Sequence, residues 1–346
     1  MWKKIVLGIL LVISGFVGFL VAKAQVTFYD SLDHVNRDYD TVLENVDLSG
    51  IKVNSDDDIV NILVIGNDYR KEANYGASGL TDTMIIATMD LKHGTLKTTS
   101  LMRDLYVEIP GYGYNKLNSA NSFGGIELLY KTIATNFSIE LDGYVEVDFK
   151  AFTDVVDAVG GVEIEVTESE ATYLNTTNYI RDKKSRNVKV GKQTLNGAQA
   201  LGYCRIRKQG TTVNGLRDDY GRTWRQRTVI NAVFDKVKSL PMTDWLKIAN
   251  KVLKNVKTDL TNEKIIAYIT DVVTMGTTEI HQLQIPVRGY YRGSQNGEFS
   301  VGSCLVMTDG VNSVFSTSAN TEALNNFIFD YDGKEPFSYG TFVNEE

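Results

Sequence analysis

Histidine, cysteine and proline are all scarce in this chain. Only His34, His93 and His281, with Cys204 and Cys304, occur in 346 residues, and they are scattered. The usual ligands of zinc and the partners of a nucleophilic serine or cysteine are therefore missing as constellations. No HExxH, CxxC pair, P-loop or dinucleotide fingerprint is present either. Two cysteines are too few for a disulfide framework and read as isolated buried thiols. With four prolines and no low-complexity tract or repeat, disorder is excluded, and 43 % hydrophobic residues supply a substantial core. Positive charge is also short. A net charge of −7 and the lack of a basic recognition helix argue against a nucleic-acid binder or a transcription regulator.

Against that background two features stand out. The first is IVLGILLVISGFVGFLVA, residues 5–22, an uncharged run close to the ~20 residues that cross a bilayer. Lys3 and Lys4 precede it, which keeps the N-terminus in the cytoplasm and exports the remainder. Ala22-Lys23-Ala24 resembles a cleavage site, but the run exceeds the ~7–15 residues of a signal-peptide core, which favours a retained anchor. The expected organisation is a cytoplasmic tip at 1–4, an anchor at 5–24, a juxtamembrane stalk at 25–57 and an extracytoplasmic domain at 58–346.

Within that domain, 58–68 and 80–90 read as buried strands, with a third strand at 95–103 ending on Arg103. If the first two strands are neighbours, Asp68 and Asp82 share one edge of the sheet. Helices are expected from 124, at 150–159, at 220–239, at 244–256, at 262–274 and near 320–330, with strands at 143–149 and 280–287. Alternating strands and helices define an α/β protein with a covered sheet.

The second feature is YCRIRKQGTTVNGLRDDYGRTWRQR, residues 203–227, with seven arginines and lysines against two aspartates. Arg205 and Arg207, two apart on an expected strand, would share a face. In the following helix the apolar stripe 230, 233 and 237 continues back through Gln226 to Arg222, so Arg222 should point inward. A buried arginine needs an anion. Asp218 and Asp219 could supply internal partners, or Asp219 could cap the helix. Two carboxylates do not neutralise Arg205, Arg207, Arg217, Arg222 and Arg225, so the excess favours an external phosphate over a closed salt-bridge network. Beside a phosphate, Asp68 and Asp82 suggest a hard divalent cation: magnesium, or a similar ion such as manganese.

Six stretches in order complete the picture: NILVIGNDYR (61–70), LTDTMIIATM (80–89), SLMRDLYVEIPGYGYNKLNSANSFGG (100–125), VVDAVGGVEIEV (155–166), LNGAQALGYCRIR (195–207) and DDYGRTWRQR (218–227). Together they resemble the LytR-CpsA-Psr family of cell-envelope proteins over most of 58–230. The resemblance implies a central mixed β-sheet flanked by helices on both faces, with an apolar channel for a lipid. It also implies a membrane-anchored phosphotransferase. The reaction would move an anionic glycopolymer, such as teichoic acid or capsule, from a polyprenyl-pyrophosphate carrier to peptidoglycan through a phosphodiester. Pyrophosphatase activity would be a side reaction. By matching motif, Arg103, Arg205, Arg207, Arg222 and Gln226 would hold the pyrophosphate, and Asp68 and Asp82 would hold magnesium. Asp82 or Asp68 would take the acceptor proton. Asp219 would orient an arginine, and Arg70 and Lys116 would line the rim. Met102, where the family often has proline, Cys204, and the long loop TTVNGLR are departures. The competing reading is a non-catalytic envelope module that binds polyprenyl phosphate or anionic polymer. The same arginines would serve it, but a pair of aspartates would not.

Overall fold

The structure, a computed structural model, describes residues 35–67, 81–213, 215–241, 255–277, 279–310 and 314–335, together with 32, 244, 248, 251 and 337. The expected anchor, Asp68, Arg70 and most of the expected helix 244–256 lie outside the described residues. Among the described residues no helix is long and apolar enough to cross a membrane.

Seven strands form one mixed sheet. They are β1 (Asn36–Arg37), β2 (Ile59–Asn67), β3 (Thr81–Asp90), β4 (Thr95–Leu101), β7 (Gly143–Asp148), β10 (Val256–Thr258) and β11 (Ile280–Ile285), in the order β1-β10-β7-β2-β3-β4-β11. Strand β2 runs parallel to β7 and antiparallel to β3, and β4 runs parallel to β11. The ends of β2, β4, β7 and β11 and the start of β3 therefore share one edge. Asn67 pairs with Thr81, which places Asp82 at that edge. Three two-stranded antiparallel pairs lie off the sheet: β5 (Tyr106–Ile109) with β6 (Gly113–Lys116), β8 (Val162–Val166) with β9 (Gly191–Leu195), and β12 (Tyr291–Gly293) with β13 (Leu305–Met307). The first of these carries Lys116.

The two faces of the sheet differ. Alternation places Leu63, Ile65, Met84, Ile86 and Leu101 on one face, beneath α1 (Leu117–Phe137) and α7 (Ser318–Asn325), in the larger apolar core. α1 starts seven residues before the apolar period begins. Its first turns bury Asn118 and Asn121 beside Leu117 and Ala120, and the Asn121 amide donates to Thr81 Oγ1 at 2.6 Å. A kink follows where Gly124 leaves helical geometry and Gly125 takes φ 67°, a conformation glycine adopts without strain.

The opposite face carries Ile62, Val64, Ala87, Val145 and Val147, which are half-exposed and belong to neither apolar core. On this side lie α2 (Phe149–Ala158), α4 (Gly197–Arg205) and α5 (Asp218–Lys238), with α3 (Glu168–Thr176) and the β8–β9 pair closing a second core. The sheet thus has helices on both faces, as the resemblance implied. α6 (Asn262–Met275) and the buried free thiols of Cys204 and Cys304 also match expectation.

Two expectations fail here. Arg205 and Arg207 do not share a strand. A capping box from Asn196 and Gln199 starts α4, which runs on to Arg205, and only Ile206 turns extended. Ile206 is buried in the second core, so the arginines beside it leave towards different partners. Nor does Arg225 want an external anion. It is fully buried and its Nε lies 2.7 Å from Glu170 Oε1, with Nη1 and Nη2 donating to the Ile206 and Gln209 carbonyls. Removing one partner of a buried pair leaves an uncompensated charge. Glu170→Ala should therefore lower the urea midpoint by the equivalent of about 3–5 kcal/mol, and Glu170→Ala with Arg225→Met should recover much of it.

Candidate active site

The shared strand edge is where a sheet of this kind exposes strand termini and loops to a ligand. Helix α5 delivers Asp219 and Arg222 to it from its first turn, following the stripe that points Arg222 inward. α5 has Arg217 as its N-cap residue and no side-chain cap, so Asp219 is not a cap. It is the hub of the site instead. Arg103 Nε lies 3.1 Å from Asp219 Oδ2, Arg222 Nη2 3.2 Å from the same oxygen, and Arg207 Nε 2.8 Å from Oδ1. Gly221 lets the start of α5 lie close against the preceding segment: a Cβ there would meet the Leu216 carbonyl oxygen at 2.5 Å.

Asp82 is the second tie. Its Oδ1 lies 2.5 Å from Arg103 Nη1 and 3.7 Å from Arg222 Nη1, and its carbonyl accepts from Arg222 Nη2 at 3.1 Å. Its Oδ2 has no partner among the described residues, and the side chain is 34 % exposed. Lys116 sits at the rim, 3.5 Å from Asp104, which is itself 3.5 Å from Arg103. Gln226, one turn beyond Arg222, donates to Thr83 Oγ1 at 2.9 Å. Arg103, Arg207, Arg222, Gln226, Lys116, Asp82 and Asp219 are thus brought together.

Arg205 is placed apart from that hub. Its guanidinium lies over the rings of Phe149 and Tyr179, 5.1 and 5.5 Å from their centroids. With Asp148, the last residue of β7, it lines a pocket further along the same edge. Asp68 and Arg70 fall outside the described residues. Asp104 was not singled out from the sequence, although it follows Arg103 directly.

The electrostatics fit a pre-arranged cationic site. Burial pushes the Asp219 carboxyl up, but Arg222, Arg103 and Arg207 outweigh it and hold it below the usual carboxylate range. Burial lowers Arg222, with Arg103 and Arg207 adding to the effect and Asp219 opposing it. Arg103 is lowered by burial, but Asp219, Asp104 and Asp82 together raise it. Four cations here meet three carboxylates, so internal pairing is closer to balance than the sequence suggested. Arg222 Nε is buried and has no hydrogen-bond partner among the described residues. Among the described residues no group of three or more His, Cys, Asp or Glu side chains could hold a metal ion.

A half-buried ring of guanidinium groups pinned by carboxylates at the edge of an α/β sheet has the geometry that matches phosphate oxygens. The chain belongs to the LytR_cpsA_psr family, whose model matches residues 22–307. It is 32 % identical over 272 residues to the polyisoprenyl-teichoic acid–peptidoglycan teichoic acid transferase TagU of Bacillus mycoides, covering 76 % of this chain and 82 % of that protein. It is 33 % identical over 258 residues to TagV of Bacillus subtilis, a transferase of the same description, covering 72 % of this chain and 61 % of that one. Among solved structures, TagT bound to LI-WTA superposes with a TM-score of 0.60 at 25 % identity, over 81 % of this chain and 95 % of the other. TagT with bound octaprenyl pyrophosphate lipid gives 0.56 at 25 %, over the same shares.

Asp219 is held ionised in the folded chain, so its stabilising effect is full above the unfolded carboxylate value near 4 and fades as pH falls through the lower folded value. Asp219→Asn should therefore melt several degrees below wild type at pH 7, and calorimetry should show the two converging below pH 4.

Proposed function

We propose that the protein is a membrane-anchored phosphotransferase. It moves an anionic glycopolymer of the teichoic acid type from a polyprenyl-pyrophosphate carrier to peptidoglycan. The observation that carries this reading is the convergence of Arg103, Arg207 and Arg222 on Asp219, with a buried Arg222 N–H left unpartnered among the described residues. The relatives named as teichoic acid transferases and the neighbour that holds octaprenyl pyrophosphate support the substrate class. The uncharged run at 5–22, preceded by Lys3 and Lys4, supports the location.

The diphosphate lies against the arginine ring, whose geometry is fixed before substrate arrives. The lipid chain runs along the half-exposed strip Ile62, Val64, Ala87, Val145 and Val147, which offers the apolar surface that neither core uses. The acceptor hydroxyl oxygen bonds to the phosphorus that carries the glycopolymer. The bond from that phosphorus to the bridging oxygen breaks, and lipid phosphate leaves with the electron pair. Asp68 or Asp82 receives the hydroxyl proton. Arg103 and Arg222 hold the equatorial oxygens, and Gln226 holds the ligand side of Thr83. Arg207, 42 % exposed, closes the mouth, and Arg205 engages polymer or phosphate further along the edge. Water in place of the acceptor gives the pyrophosphatase side reaction.

Magnesium suits a carboxylate oxygen such as Asp82 Oδ2, which has no partner among the described residues. Asp82 and Asp68 would hold it, and when bound it would neutralise charge on the phosphate oxygens.

Arg103→Ala and Arg222→Ala should each slow transfer from a polyprenyl-pyrophosphate donor about 10²–10³-fold, the size of a lost oxyanion donor. Arg205→Ala should cost less and act mainly on KM. Chelation should abolish release of lipid monophosphate, and magnesium should restore it. Wild-type rates in Arg103→Ala would exclude the mechanism, and metal-independent binding without turnover would favour the non-catalytic module.

A further inference from the structure

We propose that the outer face of the β5–β6 hairpin is a glycan-binding platform that seats the acceptor strand. Exposed aromatic side chains are unevenly spread. Of the four exposed aromatic side chains among the described residues, Tyr112 and Tyr114 lie on this hairpin, 57 % and 46 % exposed, and a third, Phe123 of α1, 42 % exposed, packs on Tyr112 at its tip. They do not lie at random. Tyr112 stacks on Phe123 with centroids 4.9 Å apart and planes 22° apart, and Tyr114 stacks on Tyr106 at 5.5 Å. Tyr106 is in turn backed by Phe299 at 4.1 Å, which fixes its plane.

Strand pairing explains the arrangement. Tyr106 opposes Lys116 and Glu108 opposes Tyr114, so all four share the outward face, while Val107 and Ile109 point into the larger core. The platform runs into the site, because Lys116 reaches Asp104 and Asp104 reaches Arg103. Flat exposed rings interleaved with a carboxylate and an ammonium suit a pyranose. The C–H bonds of one sugar face meet the negative face of each ring, and its hydroxyl and acetamido groups meet the polar neighbours. A membrane surface fits less well. An interfacial patch combines bulky apolar side chains with a basic rim, whereas Glu108 sits in the middle of this one.

Position selects the acceptor over the donor, a step that rests on the transferase reading above. The lipid strip lies on the α5 side of the sheet and the hairpin packs on the α1 side, with the arginine ring at the edge between them. Phosphoryl transfer brings the attacking and leaving oxygens in line on opposite sides of phosphorus. A lipid phosphate leaving towards the strip calls for an acceptor arriving from the hairpin.

The test separates the two ideas. The soluble tetramer of β-1,4-linked N-acetylglucosamine, without donor, is titrated into wild type, Tyr114→Ala and the double variant Tyr112→Ala/Phe123→Ala. Release of lipid phosphate to water is measured in parallel. Loss of stacking should weaken tetramer binding about tenfold in each variant and leave donor hydrolysis within twofold of wild type. Wild type that does not bind the tetramer, equal affinity in all three proteins, or loss of binding to anionic vesicles instead would overturn the platform while leaving the transferase intact. Ring-dependent tetramer binding with no donor turnover in wild type would uphold the platform as a glycan site and count against the transferase.

Discussion

One buried carboxylate organises this molecule's chemistry. Three guanidinium groups within bonding distance would repel one another and drift into solvent, but Asp219 joins them at 2.8–3.2 Å and fixes their directions. They arrive from separate parts of the chain: Arg103 from the end of β4, Arg207 from the segment after α4, and Arg222 from α5 itself. A charge taken from water is tolerated only when it is paired and bonded. The pairing here therefore fixes the positions of three elements relative to the sheet edge. In the proposed reading, the same carboxylate that stabilises the fold also holds the arginines ready for phosphate oxygens, so the site needs little rearrangement to accept one.

The sheet supplies the second constraint. Because β2, β4, β7 and β11 all end on one edge and β3 begins there, side chains far apart in sequence converge at that edge. The faces then divide the labour. One is sealed by α1 and α7 into a conventional core, while the other keeps an apolar strip that no element fully covers among the described residues.

Much of this was legible before the fold was known, and the misses are instructive. The strands at 59–67 and 81–90 announce themselves through near-continuous apolar runs, and Arg222 through its place on a helical stripe. Arg205 and Arg207 misled because R-I-R alternates as a strand does. The capping box upstream, at Asn196 and Gln199, decides for a helix and sends the two side chains apart. The first turns of α1 were missed because they bury asparagines, which carry no hydrophobic period. Glu170 was invisible as the partner of Arg225, since 55 residues separate them and only the second core brings them together. Asp104 follows Arg103 directly, and its role emerges only when the hairpin returns Lys116 to it.

The charge count explains why carboxylates belong in an anion site. An arginine ring with no acids would bind a diphosphate tightly, and also every other polyanion in the envelope. It would in addition be unstable when empty. Among the described residues Asp82, Asp104 and Asp219 bring the site within one charge of balance against Arg103, Arg207, Arg222 and Lys116. A diphosphate carries more negative charge than that surplus can absorb. In the proposed reading the remainder is met by a divalent cation on Asp82, so binding depends on ligand and metal together. A site balanced in this way holds its shape when unliganded and reserves its full electrostatic strength for a ligand that arrives with the cation.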